Sequence, residues 1–147
     1  MNIITKVREW GNRHHPAALG IVRVALGLFL LLKGYAFLQN MAYLKWMILS
    51  QESINIPPSA VSFIIFYVVF FHMTGGTLII LGILTRLAAL LQLPIIIAAI
   101  FFINIFKSPL NTELWLSVLI GILLLLFLLT GSGPVSLDNY LTKSKKE

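Results

Sequence analysis

Long apolar runs dominate this sequence: near-continuous stretches of roughly 18–25 residues recur along the chain, interrupted by short polar turns. About 20 consecutive apolar residues match the ~30 Å hydrocarbon core of a bilayer as an α-helix. A water-exposed domain has no use for so many, because in lipid each backbone N–H and C=O must be bonded inside its own helix or barrel. The pattern predicts an all-α membrane protein, a four-helix transmembrane bundle in one transmembrane domain covering 1–147. Its helices fall at about 17–35, 60–84, 87–106 and 113–130. Composition supports this: of 147 residues, 59% are hydrophobic and 11% charged, against about 25% charged in soluble domains.

The segments have recognisable boundaries. Pro16 opens the first, and Arg23 inside it, with no small-residue cleavage site after Lys33-Gly34-Tyr35, argues for a retained helix rather than a secretory signal. Met41 to Leu49 is apolar but too short to span, and is expected to lie in the interface between helices 1 and 2. Pro57-Pro58 precedes the second span, Thr85-Arg86 makes a tight turn into the third, and Pro94 predicts a kink there. Lys107 to Asn111 forms the next turn, and Gly131-Ser132-Gly133-Pro134 ends the fourth span.

Lys6, Arg8, Arg13, Arg86, Lys143, Lys145 and Lys146 gather on one side. Lys45, Lys107 and Lys33 fall on the other. Positive charge marks the cytoplasmic side, so residues 1–15 and 132–147 read as cytoplasmic tails of a multi-pass protein in a bacterial plasma membrane. The net charge of +6 orients the chain in the bilayer, and no basic patch interleaved with aromatics points to nucleic acid. Tyr35, Tyr43, Trp46 and Trp115 fit an aromatic belt on the outer side. The absence of cysteine excludes disulfides, thiolate nucleophiles and iron–sulfur clusters.

Polar residues inside the apolar runs are the candidate site. An ionisable group at mid-helix costs roughly 2.5–3.5 kcal/mol on insertion scales and normally faces the bundle interior. Gly20, Arg23, Gly27 and Gly34 lie within about 60° of one another on a helical wheel, a small-residue packing face that carries Arg23 inward. Arg23 lies ~9 Å into the span, so its side chain either enters the bundle or snorkels to the headgroups. His72 sits about 12 residues from either end of its span, beside Gly75 and Gly76, with Gly82 close to the same face. It reads either as a ligand-binding donor or as an interhelical hydrogen bond. Gln92 shares a face with Ala88 and Ala99 and reads as interhelical glue. Asn104 and Lys33 fit interfacial positions. No metal site is expected, since the adjacent His14 and His15 diverge, and no carboxylate lies mid-span to serve a proton relay.

Three stretches together resemble the DoxX family of small membrane proteins. They are Ile21-Val22-Arg23-Val24-Ala25-Leu26-Gly27 through Lys33-Gly34, then Gly75-Gly76 through Gly82-Ile83-Leu84-Thr85-Arg86-Leu87-Ala88-Ala89, and Gly133-Pro134-Val135-Ser136-Leu137-Asp138. The resemblance implies a four-helix bundle and, for some members, quinone chemistry: subunits of quinone-linked oxidoreductases, or proteins of oxidative stress that assemble with soluble redox partners. It supplies no established catalytic set. The expectation is a quinone-interacting subunit or accessory, not catalytic alone, binding menaquinone or ubiquinone through Arg23, His72, Gly75, Gly76 and Gln92, with no covalent cofactor. In this reading His72 donates to a quinone oxygen and Arg23 stabilises an anion. Its partners are the lipid bilayer, a soluble redox protein and further copies of the chain. The alternative is a non-enzymatic scaffold that recruits a cytoplasmic partner through its basic tail. A small-solute transporter fits less well, since four short helices lack paired broken segments.

Overall fold

The computed structural model describes residues 17–50, 56–104, 112–133 and 135–144, together with Lys6. These residues form helices α1 (Ala17–Gln39), α2 (Met41–Leu49), α3 (Pro58–Leu81), α4 (Thr85–Ala98), α5 (Thr112–Thr130) and α6 (Leu137–Ser144), and a π-helical stretch, Ala99–Asn104, prolongs α4. No strand occurs among the described residues. Pro94 lies inside α4. The turn expected at 107–111 and the pair His14-His15 lie outside the described residues.

Among the described residues, three helices are long and apolar enough to cross a membrane: Ala18–Gln39, Pro58–Leu81 and Glu113–Thr130. The apolar helix beginning at Thr85 is shorter. Only 28%, 33% and 22% of the most apolar windows of the three long helices are buried by protein. The rest of that surface, including Phe63, Phe66, Phe70, Leu119, Ile122 and Leu125, has no protein covering it. Hydrocarbon is the solvent that tolerates it.

Helices α1 and α3 run antiparallel and make the most extensive pair, α4 packs on both α3 and α5, and α1 touches α5 only slightly. Their common core holds Leu26 and Leu30 of α1, Ile79 of α3, Ala88, Ala89 and Ile96 of the α4 segment, and Ile120, Leu124 and Phe127 of α5. A second cluster seats α2 on α3 through Leu44, Val61, Ile65 and Val69. Tyr43 and Trp46 of α2 are exposed and stacked with ring centroids 5.9 Å apart, consistent with an interfacial helix.

Glycines set the α1–α3 distance. A Cβ on Gly27 would lie 2.8 Å from the Gly76 carbonyl oxygen, and one on Gly76 would lie 2.7 Å from the Leu31 nitrogen. Backbone meets backbone there, as small-residue interfaces in membranes allow. Gly34 performs the same service opposite His72 and Met73. Gly20, expected on this packing face, has nothing within 4 Å of an added Cβ. It lies beyond the level at which α3 ends, so the wheel gave its direction but no neighbour. Gly82 packs closely against Arg23 and Ser136, where an added Cβ would lie 2.7 Å from each, and it also takes φ +69° at the C-terminus of α3, where the Ile83 N–H donates to Leu78 O at 3.0 Å. That is a Schellman ending, which favours glycine.

The stretch after α5 contains one element that composition hides. Asp138 onward reads as polar tail, yet Leu137–Ser144 is helical, and the Asn139 N–H donates to the Ser136 hydroxyl oxygen at 3.2 Å. Ser136 is an N-cap.

Candidate functional site

The structure turns both Arg23 and His72 inward, with 3% and 4% exposure, but sets them at different depths. Arg23 lies at the level of Gly82, whose added Cβ would meet its Nη1 at 2.7 Å, and His72 lies at the level of Gly34. Ten residues of α3 separate Gly82 from His72, roughly 15 Å of helical rise. Between those levels the Gly27–Gly76 contact brings the two backbones together. A single ligand therefore does not bridge Arg23 and His72 along the α1–α3 seam.

Arg23 instead fastens the end of the bundle. Its Nη1 donates to the Ser132 carbonyl and its Nη2 to the Val135 carbonyl at 2.8 Å. The Asp138 carboxylate supplies the opposing charge in its vicinity. Asp138 also accepts from the Leu84 N–H through Oδ2 at 3.0 Å, while the Asp138 N–H donates to Gly82 O at 3.3 Å. Leu84 holds φ +49°, the left-handed region that a branched side chain rarely occupies, and the Asp138 bond fixes it there. Arg86 donates from Nη2 to Leu129 O at 3.0 Å and lies against Gly131, itself at φ +80°. The pieces of sequence that looked most distinctive thus converge on one interlocked end: α1 through Arg23, the α3–α4 turn through Gly82, Leu84 and Arg86, and the segment after α5 through Ser132, Val135 and Asp138. An open cleft of about 370 Å³ lies at this end, lined by Thr85, Arg86, Thr130, Ser132, Asp138 and Asn139 among others.

His72 occupies a different environment. Its Nδ1 lies 3.0 Å from Val68 O. A carbonyl oxygen only accepts, so this nitrogen carries the proton, and in the neutral ring Nε2 is then an acceptor. No described residue hydrogen-bonds Nε2. The Phe37 ring meets the imidazole edge-on, centroids 5.4 Å apart. Gly75 and Gly76, adjacent in sequence, serve two different interfaces. Gly76 faces α1, while an added Cβ on Gly75 would lie 2.7 Å from Gln92 Nε2 of α4. Gln92 is fully buried and donates from Nε2 to Phe71 O at 2.6 Å. Its Oε1 has no partner. The α3 backbone at Phe71–His72 thus meets α1 through His72 and α4 through Gln92.

A membrane-embedded helical bundle with buried polar groups at mid-span and an arginine-fastened end is what these features define: an α-helical integral membrane protein. The DoxX family model matches residues 18–105, more than half of the chain, and the protein belongs to the DoxX family. That match spans α1 to the π-helical stretch and stops short of α5 and of the Gly133–Asp138 stretch that Arg23 holds. No curated protein and no solved structure matches the chain.

Proposed function

We propose that this DoxX protein is a membrane subunit or accessory of a quinone-linked redox system, and that it meets the reduced, dihydroxy form of the quinone at His72 and Gln92. One observation carries the reading: deep in the hydrocarbon, Gln92 Oε1 is buried without a hydrogen-bond partner, beside the level of α3 where His72 is held through its Nδ1. A buried polar atom left unbonded costs about 1–3 kcal/mol, which a ligand hydroxyl relieves. Oxidised quinone oxygens only accept, so the pair suits quinol better than quinone, and His72 acts as acceptor where sequence alone had it donating. Quinol supplies the transferable electrons and protons when bound. His72 Nε2 would accept a hydrogen bond from a quinol hydroxyl that approaches from the α1 side, and Gln92 Oε1 from one that approaches from the α4 side. Cysteine is absent, so the electrons pass to a partner protein, in the simplest arrangement a cytoplasmic one on the side of both termini in a bacterial plasma membrane.

Titration of the purified protein with menaquinol and ubiquinol analogues tests this. Wild type binds the reduced form more tightly than the oxidised, and His72→Ala and Gln92→Leu each weaken quinol binding about tenfold, the equivalent of ~1.4 kcal/mol. Equal binding by wild type and His72→Ala refutes the assignment.

A second reading has its own support. Arg23, Arg86 and Asp138 are all engaged in holding the chain together, which suits a non-enzymatic scaffold whose basic tail recruits an acidic partner. A stoichiometric soluble protein that co-purifies with wild type, and is lost on deleting residues 142–147, favours that reading.

A further inference from the structure

Lys33 adds a charge at the level of α3 where His72 is held. We propose that this charge makes the mid-span site selective for an acidic ring hydroxyl, a role that rests on the assignment of a ligand hydroxyl to His72.

Read from sequence, Lys33 fits an interfacial position. The structure sets it level with His72: its neighbour Gly34 comes so close that an added Cβ would lie 2.9 Å from the histidine Cβ. Roughly 13 Å and 21 Å of helix separate His72 from the two ends of α3. The ammonium does not snorkel towards the near end of α1 at Gln39. Its Nζ lies over the Phe29 ring, 5.8 Å from the centroid, and Phe29 is one turn back along the helix, towards the Gly27–Gly76 contact. A snorkelling lysine carries its charge to water; this one carries it away from the end of its helix.

Phe29, Lys33 and Phe37 recur at four-residue spacing and share a face of α1. Phe37 meets the His72 imidazole edge-on, and the Lys33 charge acts on the same imidazole. Lys33 is half-buried, and among the described residues no carboxylate pairs with it. Helices α2, α3 and α5 pack on α1. Besides His72, their described titratable groups are Tyr43, Lys45, Tyr67 and Glu113. Tyr43, Lys45 and Glu113 are exposed, and the Tyr67 hydroxyl donates to Leu91 O of α4 at 3.3 Å. On α1 itself Tyr35 is exposed, and Arg23 is engaged at the interlocked end.

An ammonium inside a span is costly and calls for a partner. The contact with Phe29 uses the ring face, and no described residue accepts a hydrogen bond from Nζ. A ligand oxygen that develops negative charge meets that need. A ring hydroxyl does so and also holds a hydrogen for His72 Nε2, which an ether or a carbonyl lacks. The positive charge draws electron density towards the hydroxyl oxygen and favours its ionised form. Lys33 is thus a specificity-determining residue that acts through its field.

The test uses the full chain in detergent with a para-nitrophenol carrying a long alkyl chain, colourless when protonated and yellow when ionised. The matching nitroanisole, which cannot ionise, is the control. We expect wild type to bind the nitrophenol about tenfold more tightly than the nitroanisole. The bound nitrophenol should ionise roughly one pH unit lower than in empty micelles. Lys33→Met removes the shift, and Lys33→Arg keeps most of it. An unchanged shift in Lys33→Met overturns the proposal. So does a wild type that fails to bind the nitrophenol or leaves its ionisation at the micellar pH, a measurement that stands even if the variants fail to fold. Quinol titrations separate the two readings. Quinol binding that His72→Ala weakens, alongside a shift independent of Lys33, removes Lys33 from the site and leaves the quinol reading in place. A Lys33-dependent shift with quinol binding indifferent to His72→Ala refutes the quinol reading and leaves the selectivity of Lys33 standing.

Discussion

Arg23 shows what a charge inside a membrane helix is for when it is not a ligand. Its guanidinium satisfies two main-chain carbonyls more than 100 residues away in sequence, each bond to a charged donor contributing roughly 1.5–3 kcal/mol. Arg23→Gln should therefore lose about 3 kcal/mol or more, read as a fall in the detergent melting temperature, while His72→Ala costs less. An unchanged melting temperature for Arg23→Gln contradicts the fastening role. The glycines give a paired comparison. Gly76→Ala forces a methyl against the Leu31 backbone and the Gly27 carbonyl and should cost about 1–3 kcal/mol. Gly20→Ala meets nothing, gains helix propensity, and should be neutral or stabilising by about 0.5–1 kcal/mol. Both are read from thermal unfolding in one detergent, and equal effects contradict the glycine register described above.

At the scale of elements, the sequence was most readable where periodicity and length speak together. The short helix expected at Met41–Leu49 appears over those residues, and the long spans differ by a few residues at their ends. The Gly82–Leu84 turn shortens the second span, while Thr85-Arg86, read as turn, begins the next helix. Helix α6 escaped because its charges sit beside only eight helical residues, although Leu137, Tyr140 and Leu141 recur at the i, i+3, i+4 spacing after a Ser136 N-cap. Its apolar face can be checked directly, because a chain without cysteine accepts single spin labels cleanly. Labels at Leu137→Cys, Tyr140→Cys and Leu141→Cys in vesicles should be more accessible to oxygen than to a water-soluble nickel chelate. Preferential access by the nickel chelate at all three positions contradicts burial of α6 in the interface.

For the whole molecule, a helical wheel states direction but no depth. Arg23, His72 and Gln92 were each legible as inward-facing from their glycine and alanine neighbours. Which of them meet depends on the antiparallel register of α1 and α3, fixed by Gly27 on Gly76 and Gly34 on His72, and no single helix encodes that. Register is why the residues divide into a fastened, charged end and a separate polar level at mid-span. The functional account rests on the second. Its most direct test is the ¹⁵N NMR signal of His72 Nε2 in histidine-labelled protein, assigned by its loss in His72→Ala. The unprotonated, acceptor-type resonance expected without ligand should move on adding quinol, as Nε2 accepts a hydrogen bond, and stay in place on adding the oxidised form. A resonance that ignores quinol, or that shows Nε2 protonated at the outset, contradicts the account.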